Sequence, residues 1–250
     1  MHNISVINLS VNCYFKHISH HAPPGVDICR ITGYNFTMIK LENIDLELGG
    51  KQVFKKFNFY AEKGMKVLLD APSGTGKSCF FNIIMGFMRP TAGSVRIGGR
   101  ELSGVNVCEV RKRICYIAQE SRLTGASVRD VLCEIGSYKA NKGLDFGEAR
   151  IRELLHEFSL EEGTLERSIE ALSGGERQRL SFVICLLLNR DIWLLDEITA
   201  GLDKHRKRVV MESVSASDKT VIVASHDPGW REYGLREAAW QGAGERFWER

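Results

Sequence analysis

The chain has 250 residues, of which 44% are hydrophobic and 26% charged, and its formal net charge is +3 at pH 7. This size suffices for one globular domain with a subdomain, and so small and dispersed a charge gives no reason to expect a nucleic-acid partner. No apolar run reaches the length of a membrane span, and the seven cysteines lack CxxC pairs and zinc-type spacing. We therefore expect a protein of the reducing cytoplasm.

The first segment, residues 1–37, contains the histidine-rich string "HISHH" and a "PPG" break. Histidines near a terminus are more often solvated than metal-bound, so we predict a disordered extension outside the fold rather than a metal site. Met38 is a candidate for the natural start of the protein.

Strand patterns begin at Met38. The string "MIKLENIDLEL" alternates apolar and polar residues with one slip at Asn43, which predicts a strand with one buried face. "VFKKFNFYA" and "KVLL" predict two further strands after turns at "LGGK" and "EKGM". These patterns indicate an antiparallel β-layer beside a parallel core.

The string "APSGTGKS" lies between the "KVLL" strand and a helix predicted over Ser78–Met88. In the pattern GxxxxGK[ST], backbone N–H groups surround phosphates, the lysine reaches the terminal phosphates and the hydroxyl binds Mg²⁺. Ala71 replaces the first glycine of this pattern. The predicted nucleotide-binding residues here are Ala71, Pro72, Ser73, Gly74, Thr75, Gly76, Lys77, Ser78 and Cys79.

The middle of the chain reads as helical, since "GEARIRELLHEFSL" has apolar residues at helical spacing. Strand patterns resume at "DIWLLDE" and "KTVIVASHD". We therefore predict an α/β domain over residues 38–241, with a helical subdomain inserted at about 120–175 and a short tail at 242–250.

Two carboxylates end the "DIWLLDE" strand. Ligands of parallel sheets lie at the carboxyl ends of the strands. Asp196 is placed to bind the Mg²⁺ of a nucleotide, and Glu197 to orient the attacking water or accept its proton.

The string "LSGGERQRL" places a second small-residue turn, Ser173–Gly175, before a helix. Such a turn gives the chain a second helix N-terminus that favours anions. With these motifs, residues from about Met38 to Gly229 resemble the nucleotide-binding subunit of an ATP-binding cassette (ABC) transporter, a P-loop NTPase fold.

The resemblance implies a head-to-tail dimer, in which each ATP lies between one subunit's phosphate loop and the other's signature. It assigns the signature contact with the partner's ATP to Leu172, Ser173, Gly174, Gly175 and Glu176. It makes Gln119 the Q-loop residue, which contacts Mg²⁺ or water, and His226 the switch histidine, which contacts the terminal phosphate and supports Glu197. The implied magnesium ligands are Ser78, Gln119 and Asp196, and the implied D-loop is Ala200, Gly201, Leu202 and Asp203.

Several positions depart from the family pattern. Leu48 stands where an aromatic residue usually stacks on adenine, unless Phe54 or Tyr34 covers the base instead. Cys79 replaces a common threonine. Asp70, an acid directly before the phosphate loop, would repel phosphates, so we expect it to point away or to pair with a cation.

The resemblance implies an ATPase subunit, working as a homodimer or an ABC-domain heterodimer, that drives a separate integral membrane permease from its inner face. A soluble ABC ATPase of DNA repair or translation is the alternative, but the interval from Lys77 to Leu172 has no room for the long insertions typical of those relatives. A cassette that binds nucleotide without turnover is disfavoured because Asp196, Glu197 and His226 are intact. Cargo and direction of transport stay open.

Overall fold

The protein is described by a computed structural model that covers residues 37–70, 72, 74–119 and 123–239. The tail predicted at 242–250 and all but the last residue of the predicted extension lie outside this range. The strands are β1 (Thr37–Leu48), β2 (Lys51–Glu62), β3 (Lys66–Asp70), β4 (Ala92–Ile97), β5 (Arg100–Glu101), β6 (Ile114–Ile117), β7 (Ile192–Asp196), β8 (Thr220–Ala224) and β9 (Arg236–Ala239). The helices are α1 (Lys77–Ile84), α2 (Val107–Arg111), α3 (Val128–Ser137), α4 (Glu148–Glu157), α5 (Gly174–Leu188) and α6 (Lys204–Ala216).

The first sheet is antiparallel, with strand order β2-β1-β4-β5. The slip expected at Asn43 is a bulge: this residue has φ 51°, and the pairing of β1 with β2 shifts between Leu41 and Ile44. The extra residue restores the alternation, so that Leu41 and Ile44 are both buried. The predicted antiparallel layer is confirmed.

The second sheet is parallel, with strand order β6-β7-β8-β3-β9. Every residue of β7 is buried, as a parallel strand covered on both faces requires. Trp193 faces α5, where its ring meets Phe182 edge-to-face at 5.9 Å, whereas Leu194 belongs to the core shared with Phe81 of α1 and the first sheet. The parallel sheet thus separates two apolar cores.

Residues 123–191 contain helices and no strand. A capping box between Ser127 and Asp130 starts α3, and α4 buries Ile151, Leu154 and Leu155, the apolar positions expected from the spacing. Short 3₁₀ turns lie at Lys139–Asn141, Glu162–Glu166 and Ile169–Ala171. The exact limits of a helical subdomain stay a prediction.

Two elements differ from expectation. The helix predicted to reach Met88 ends at Ile84 because Gly86 adopts a left-handed conformation, φ 66°, just after the C-cap. Strand β9 was not expected, since its sequence "REAA" has neither an apolar run nor an alternation; its pairing with β3 creates it. Within the described part of the chain, no helix combines the length and the apolar character needed to cross a bilayer.

Candidate nucleotide-binding and catalytic site

The loop between β3 and α1 has the backbone of a phosphate cradle. Gly74 has φ 79° and Gly76 has φ 105°. A Cβ on Gly76 would lie 2.9 Å from the Val53 side chain and 3.2 Å from the Phe54 ring, so only glycine fits there. The Thr75 hydroxyl donates to the Pro72 carbonyl at 2.7 Å. Ala71 and Ser73, also predicted to bind nucleotide, lie outside the described residues.

Three predicted site residues converge beside the cradle. The Lys77 Nζ lies 3.3 Å from the His226 Nε2 and 3.9 Å from the Glu197 Oε1. Their convergence follows from the strand order, because β7, β8 and β3 are neighbours and their carboxyl ends meet at one edge. Sequence positions far apart therefore form one charged cluster.

Glu197 occupies a strained position at the end of β7. Its φ of 50° is unusual for a residue with a side chain. Its backbone N–H donates to the Ala224 carbonyl at 2.8 Å, and its Oε2 lies 3.5 Å from the Ser225 hydroxyl. The side chain is 15% exposed and points toward Lys77. Ala224, the last residue of β8, and Ser225 directly after it thus hold Glu197 in this conformation.

The predicted magnesium ligands lie around one cavity. Ser78, Gln119 and Asp196 line a space of about 610 Å³. The described residues contain no group of three or more His, Cys, Asp or Glu side chains able to bind a metal by themselves. The donor set fits Mg²⁺ nonetheless, because this ion is usually bound by one or two carboxylates together with substrate phosphates and water.

Burial affects two ionisable groups of this cavity. It raises the pKa of Asp196, while the charge of Lys77 opposes that shift. Burial, with the charge of Asp196, also raises the pKa of Tyr116 to about 12. Tyr116 lines the cavity but was missed, since it is one alternating residue of "RICYIAQ" without a motif of its own. Its hydroxyl is therefore neutral at neutral pH.

Side-chain hydrogen bonds hold the signature turn. The Ser173 hydroxyl accepts from the Glu176 N–H at 3.2 Å, and the Glu176 carboxylate accepts from the Ser173 N–H at 2.7 Å, which forms a capping box. Arg167 donates to the same carboxylate at 2.6 Å. This bond is the main reason that the pKa of Glu176 falls to about 2. Nothing in the sequence had pointed to Arg167.

The remaining signature and D-loop residues pack together. Leu172 and Leu202 are buried, whereas Gly174 and Ala200 are exposed. A Cβ on Gly175 would lie 3.6 Å from the Leu202 side chain and 3.9 Å from the Gly201 carbonyl. The D-loop therefore contacts the first turn of α5.

Asp203, the last residue of the D-loop, caps the next helix. Its carboxylate accepts from the Arg206 N–H at 3.0 Å, so that it forms the N-cap of α6. The start of α6 and the start of α5 are thus linked through one short loop.

The structure gives the burial and the neighbours of two residues that depart from the family pattern, Leu48 and Cys79. Leu48 ends β1 at the hairpin turn and is 43% exposed. Phe54 is 2% exposed and stacks on Phe57, so its ring offers no open face to a base; Tyr34 lies outside the described residues. Cys79 is half-buried against the apolar core, and burial raises the pKa of its thiol.

Asp70 pairs with a cation, as expected. Its Oδ2 accepts from the Arg231 guanidinium at 2.9 Å. Its Oδ1 lies 3.4 Å from the Nδ1 of His226. The acid therefore contacts the site through the histidine, which the sequence did not indicate.

Comparison with known proteins assigns the chain to a family. Residues 54–200, more than half of the chain, match the ABC transporter family. The probable iron export ATP-binding protein FetA of Escherichia coli (strain K12) is 32% identical over 197 residues, or 77% of this chain and 86% of FetA. The cytochrome c biogenesis ATP-binding export protein CcmA of Brucella abortus (strain 2308) is 30% identical over 194 residues, or 76% of this chain and 86% of CcmA.

Other relatives are longer or structurally characterised. The chain spans only 18% of ABC transporter B family member 15 of Arabidopsis thaliana, at 29% identity over 84% of this chain. The dimeric post-hydrolysis structure of the ATP-binding cassette MJ0796 with ADP and Pi superimposes with a TM-score of 0.73 at 28% identity, covering 85% of this chain and 98% of that one. Fold, site and sequence agree: the chain belongs to the ABC transporter family, of which it carries the ATP-binding cassette.

Proposed function

We propose that this chain is the ATP-hydrolysing subunit of an ABC transporter, which works at the cytoplasmic face of the membrane beneath a separate integral membrane permease. The observation that carries the proposal is the convergence of Lys77, Glu197 and His226 at one sheet edge. Beside them lies the cavity lined by Ser78, Gln119 and Asp196. This arrangement supplies a phosphate cradle, a carboxylate base and a metal position together.

Each group has a defined task. Lys77 and the N–H groups that start α1 bind the phosphates of ATP, while Ser78, Asp196 and Gln119 would hold Mg²⁺, which neutralises charge on the phosphate oxygens. The Glu197 carboxylate orients the attacking water and takes its proton. His226 contacts the terminal phosphate.

The second helix end serves a second subunit. The Ser173 turn at the start of α5 favours an anion, and the MJ0796 cassette, which is similar over most of its length, is dimeric with ADP and Pi. We infer that the signature of one subunit closes over the ATP held by its partner. A homodimer and a heterodimer of two such cassettes both satisfy this geometry.

Transport is favoured over a soluble role in DNA repair or translation. Between residues 123 and 171 the chain forms only α3, α4 and short 3₁₀ turns, which leaves no long coiled coil or zinc module. The relatives include proteins named for iron export and for Fe(3+) import. We therefore propose ATP-driven transport and commit to no cargo.

The proposal is tested with the purified chain and with any membrane permease encoded next to its gene. We expect Mg²⁺-dependent phosphate release, lost in Lys77→Ala and retained in Lys55→Ala, a matched exposed lysine on β2. Co-expressed permease should bring the chain to the membrane and change its turnover in proteoliposomes. Mg²⁺-independent or equal activity in both lysine variants would refute the site, and failure to bind any co-encoded permease would refute the transport role.

A further inference from the structure

We propose that Asp70 is a positioning residue for His226: it fixes the imidazole with its proton on Nδ1 and keeps Nε2 turned toward Lys77 and Glu197. This tautomer is the one expected in the nucleotide-free protein. Its catalytic consequence rests on the proposed function, in which His226 contacts the terminal phosphate.

The contact follows from the position of Asp70 at the end of β3, directly before the cradle. Its Oδ1 lies 3.4 Å from the Nδ1 of His226. On the other side of the ring, Nε2 lies 3.3 Å from the Lys77 Nζ and 3.9 Å from the Glu197 Oε1. The imidazole thus lies between Asp70 on one side and Lys77 and Glu197 on the other.

The chemistry of the two neighbours selects one tautomer. A lysine ammonium only donates hydrogen bonds, so the Nε2 that faces Lys77 accepts. An ionised carboxylate only accepts, so the Nδ1 that faces Asp70 carries the proton. A proton on Nδ1 and none on Nε2 satisfies both contacts. A carboxylate behind a histidine orients the ring in this way in hydrolases of other folds.

Asp70 is held by Arg231, which it shares with a second carboxylate on the neighbouring strand. Arg231 donates to Asp70 at 2.9 Å and to Glu237 at 2.8 Å. Glu237 of β9 pairs with Leu68 of β3, two residues before Asp70, so the two acids lie on one face of the sheet. Arg231 belongs to the 3₁₀ turn Pro228–Tyr233, which the buried Trp230 holds against the core.

An ordinary surface ion pair between Asp70 and Arg231 is the competing explanation. The side chains of Asp70 and His226 are 37% and 49% exposed, so their contact adds little stability by itself. The effect of Asp70 on the ring, rather than on folding, therefore separates the two explanations.

Asp70→Asn makes the distinction sharp. Arg231 has only donors, so it takes the amide oxygen, and the amide NH₂ then faces the histidine. Nδ1 must now accept, which moves the proton of His226 to Nε2 and points it at Lys77. The variant keeps the shape of the site and reverses the tautomer.

Ring-nitrogen NMR of the nucleotide-free protein at alkaline pH reads the tautomer directly. His226→Gln identifies the resonances. We expect a protonated Nδ1 and an unprotonated Nε2 in the wild-type protein, and the opposite in Asp70→Asn. A wild-type ring with its proton on Nε2, or a spectrum unchanged by Asp70→Asn, would overturn the proposal.

Kinetics test the consequence for turnover. A positioned acid or base contributes about 10²- to 10⁴-fold, so misplacing His226 should lower kcat roughly 10- to 100-fold, while KM for ATP stays within about twofold. The control is Glu237→Gln, which removes the negative charge of the other carboxylate bound to Arg231 and leaves the contact between Asp70 and His226 unchanged. We expect it to keep wild-type kcat and the wild-type tautomer.

The outcomes separate this proposal from the proposed function. If His226→Gln itself keeps full turnover, the role of the switch histidine fails. If His226→Gln is inactive but Asp70→Asn turns over normally, or if Glu237→Gln loses as much activity as Asp70→Asn, only the positioning role of Asp70 fails.

Discussion

The cradle and the signature turn are both expected to contact ATP, but they differ in the interactions that hold their side chains. Around the signature, Ser173, Glu176 and Arg167 are joined by hydrogen bonds of 2.6 to 3.2 Å. In the cradle, Lys77 approaches His226 at 3.3 Å and Glu197 at only 3.9 Å. Internal hydrogen bonds hold the signature turn, whereas charged side chains cluster beside the cradle.

The backbone shows the same contrast. Ser173 has an ordinary N-cap conformation with φ −64°, whereas Glu197 has φ 50°, and Gly76 has φ 105°. Strain of this kind persists where surrounding contacts enforce it, and it concentrates at sites of chemistry. The signature turn is therefore held in an ordinary helix-start conformation by internal hydrogen bonds, whereas the cradle combines a strained backbone with a cluster of charged side chains.

The largest expected effect comes from Glu197→Gln, which removes the carboxylate of the proposed base and keeps its shape. We expect steady-state hydrolysis to fall by about 10²-fold or more, since a positioned base contributes that much. ATP binding should persist because Lys77 is untouched, so that the ATP-bound dimer accumulates. Phosphate release and ATP binding are measured side by side. Glu212→Gln on α6 is the control, and near-normal turnover in Glu197→Gln would refute the assignment.

Ser173→Arg changes the signature turn instead. The long side chain occupies the position where the partner's phosphate would approach, so ATP-driven dimerisation should be lost in size-exclusion chromatography with light scattering. The monomer should still bind ATP at the cradle. Ser103→Arg, on an exposed loop before α2, should dimerise normally. ATP-dependent dimers of Ser173→Arg would contradict the composite site.

Arg167→Ala tests the charge balance of the signature. Without the guanidinium, the pKa of Glu176 rises from about 2 toward its ordinary value, but the carboxylate stays ionised at neutral pH and repels the partner's phosphates. A charge-assisted bond contributes about 1.5–3 kcal/mol, so we expect ATP-driven dimerisation to weaken roughly tenfold or more.

A double variant separates charge from folding in that experiment. Glu176→Gln keeps the capping box but has no charge for Arg167 to neutralise. Arg167→Ala in the Glu176→Gln background should therefore cost much less than in the wild type. Equal losses in both backgrounds would mean that Arg167 acts through local structure alone.

Sequence patterns anticipated the parts of this molecule that depend on local periodicity or on backbone chemistry. The bulge at Asn43 was visible as a slip in an alternating strand, and the cradle as a glycine pattern between a strand and a helix. The slip and the glycine pattern each depend on consecutive residues, so both could be recognised from the sequence.

The features that were missed depend on pairing between distant segments. Arg167 reaches Glu176 across a 3₁₀ turn, and Arg231 links Asp70 to Glu237 only because β9 pairs with β3. No periodicity or spacing encodes such contacts. The sequence predicted that Asp70 would point away from the site or pair with a cation, but its second contact, with His226, depends on the strand order of the sheet.

The smallest expected effect concerns Leu48, the residue predicted to face adenine. This residue is 43% exposed at the β1–β2 turn, while Phe54 is buried and cannot cover adenine. An aromatic ring contributes about 0.5–1.5 kcal/mol beyond buried area, and about 1.4 kcal/mol corresponds to tenfold in affinity. Leu48→Tyr should therefore tighten ATP binding by about two- to tenfold and widen the preference for ATP over GTP, with little change in kcat because the phosphate-binding groups are unchanged. Titration with fluorescent ATP and GTP analogues measures both, and Val105→Tyr, at a residue 97% exposed, is the control. Unchanged affinities in Leu48→Tyr would show that Leu48 does not face the base.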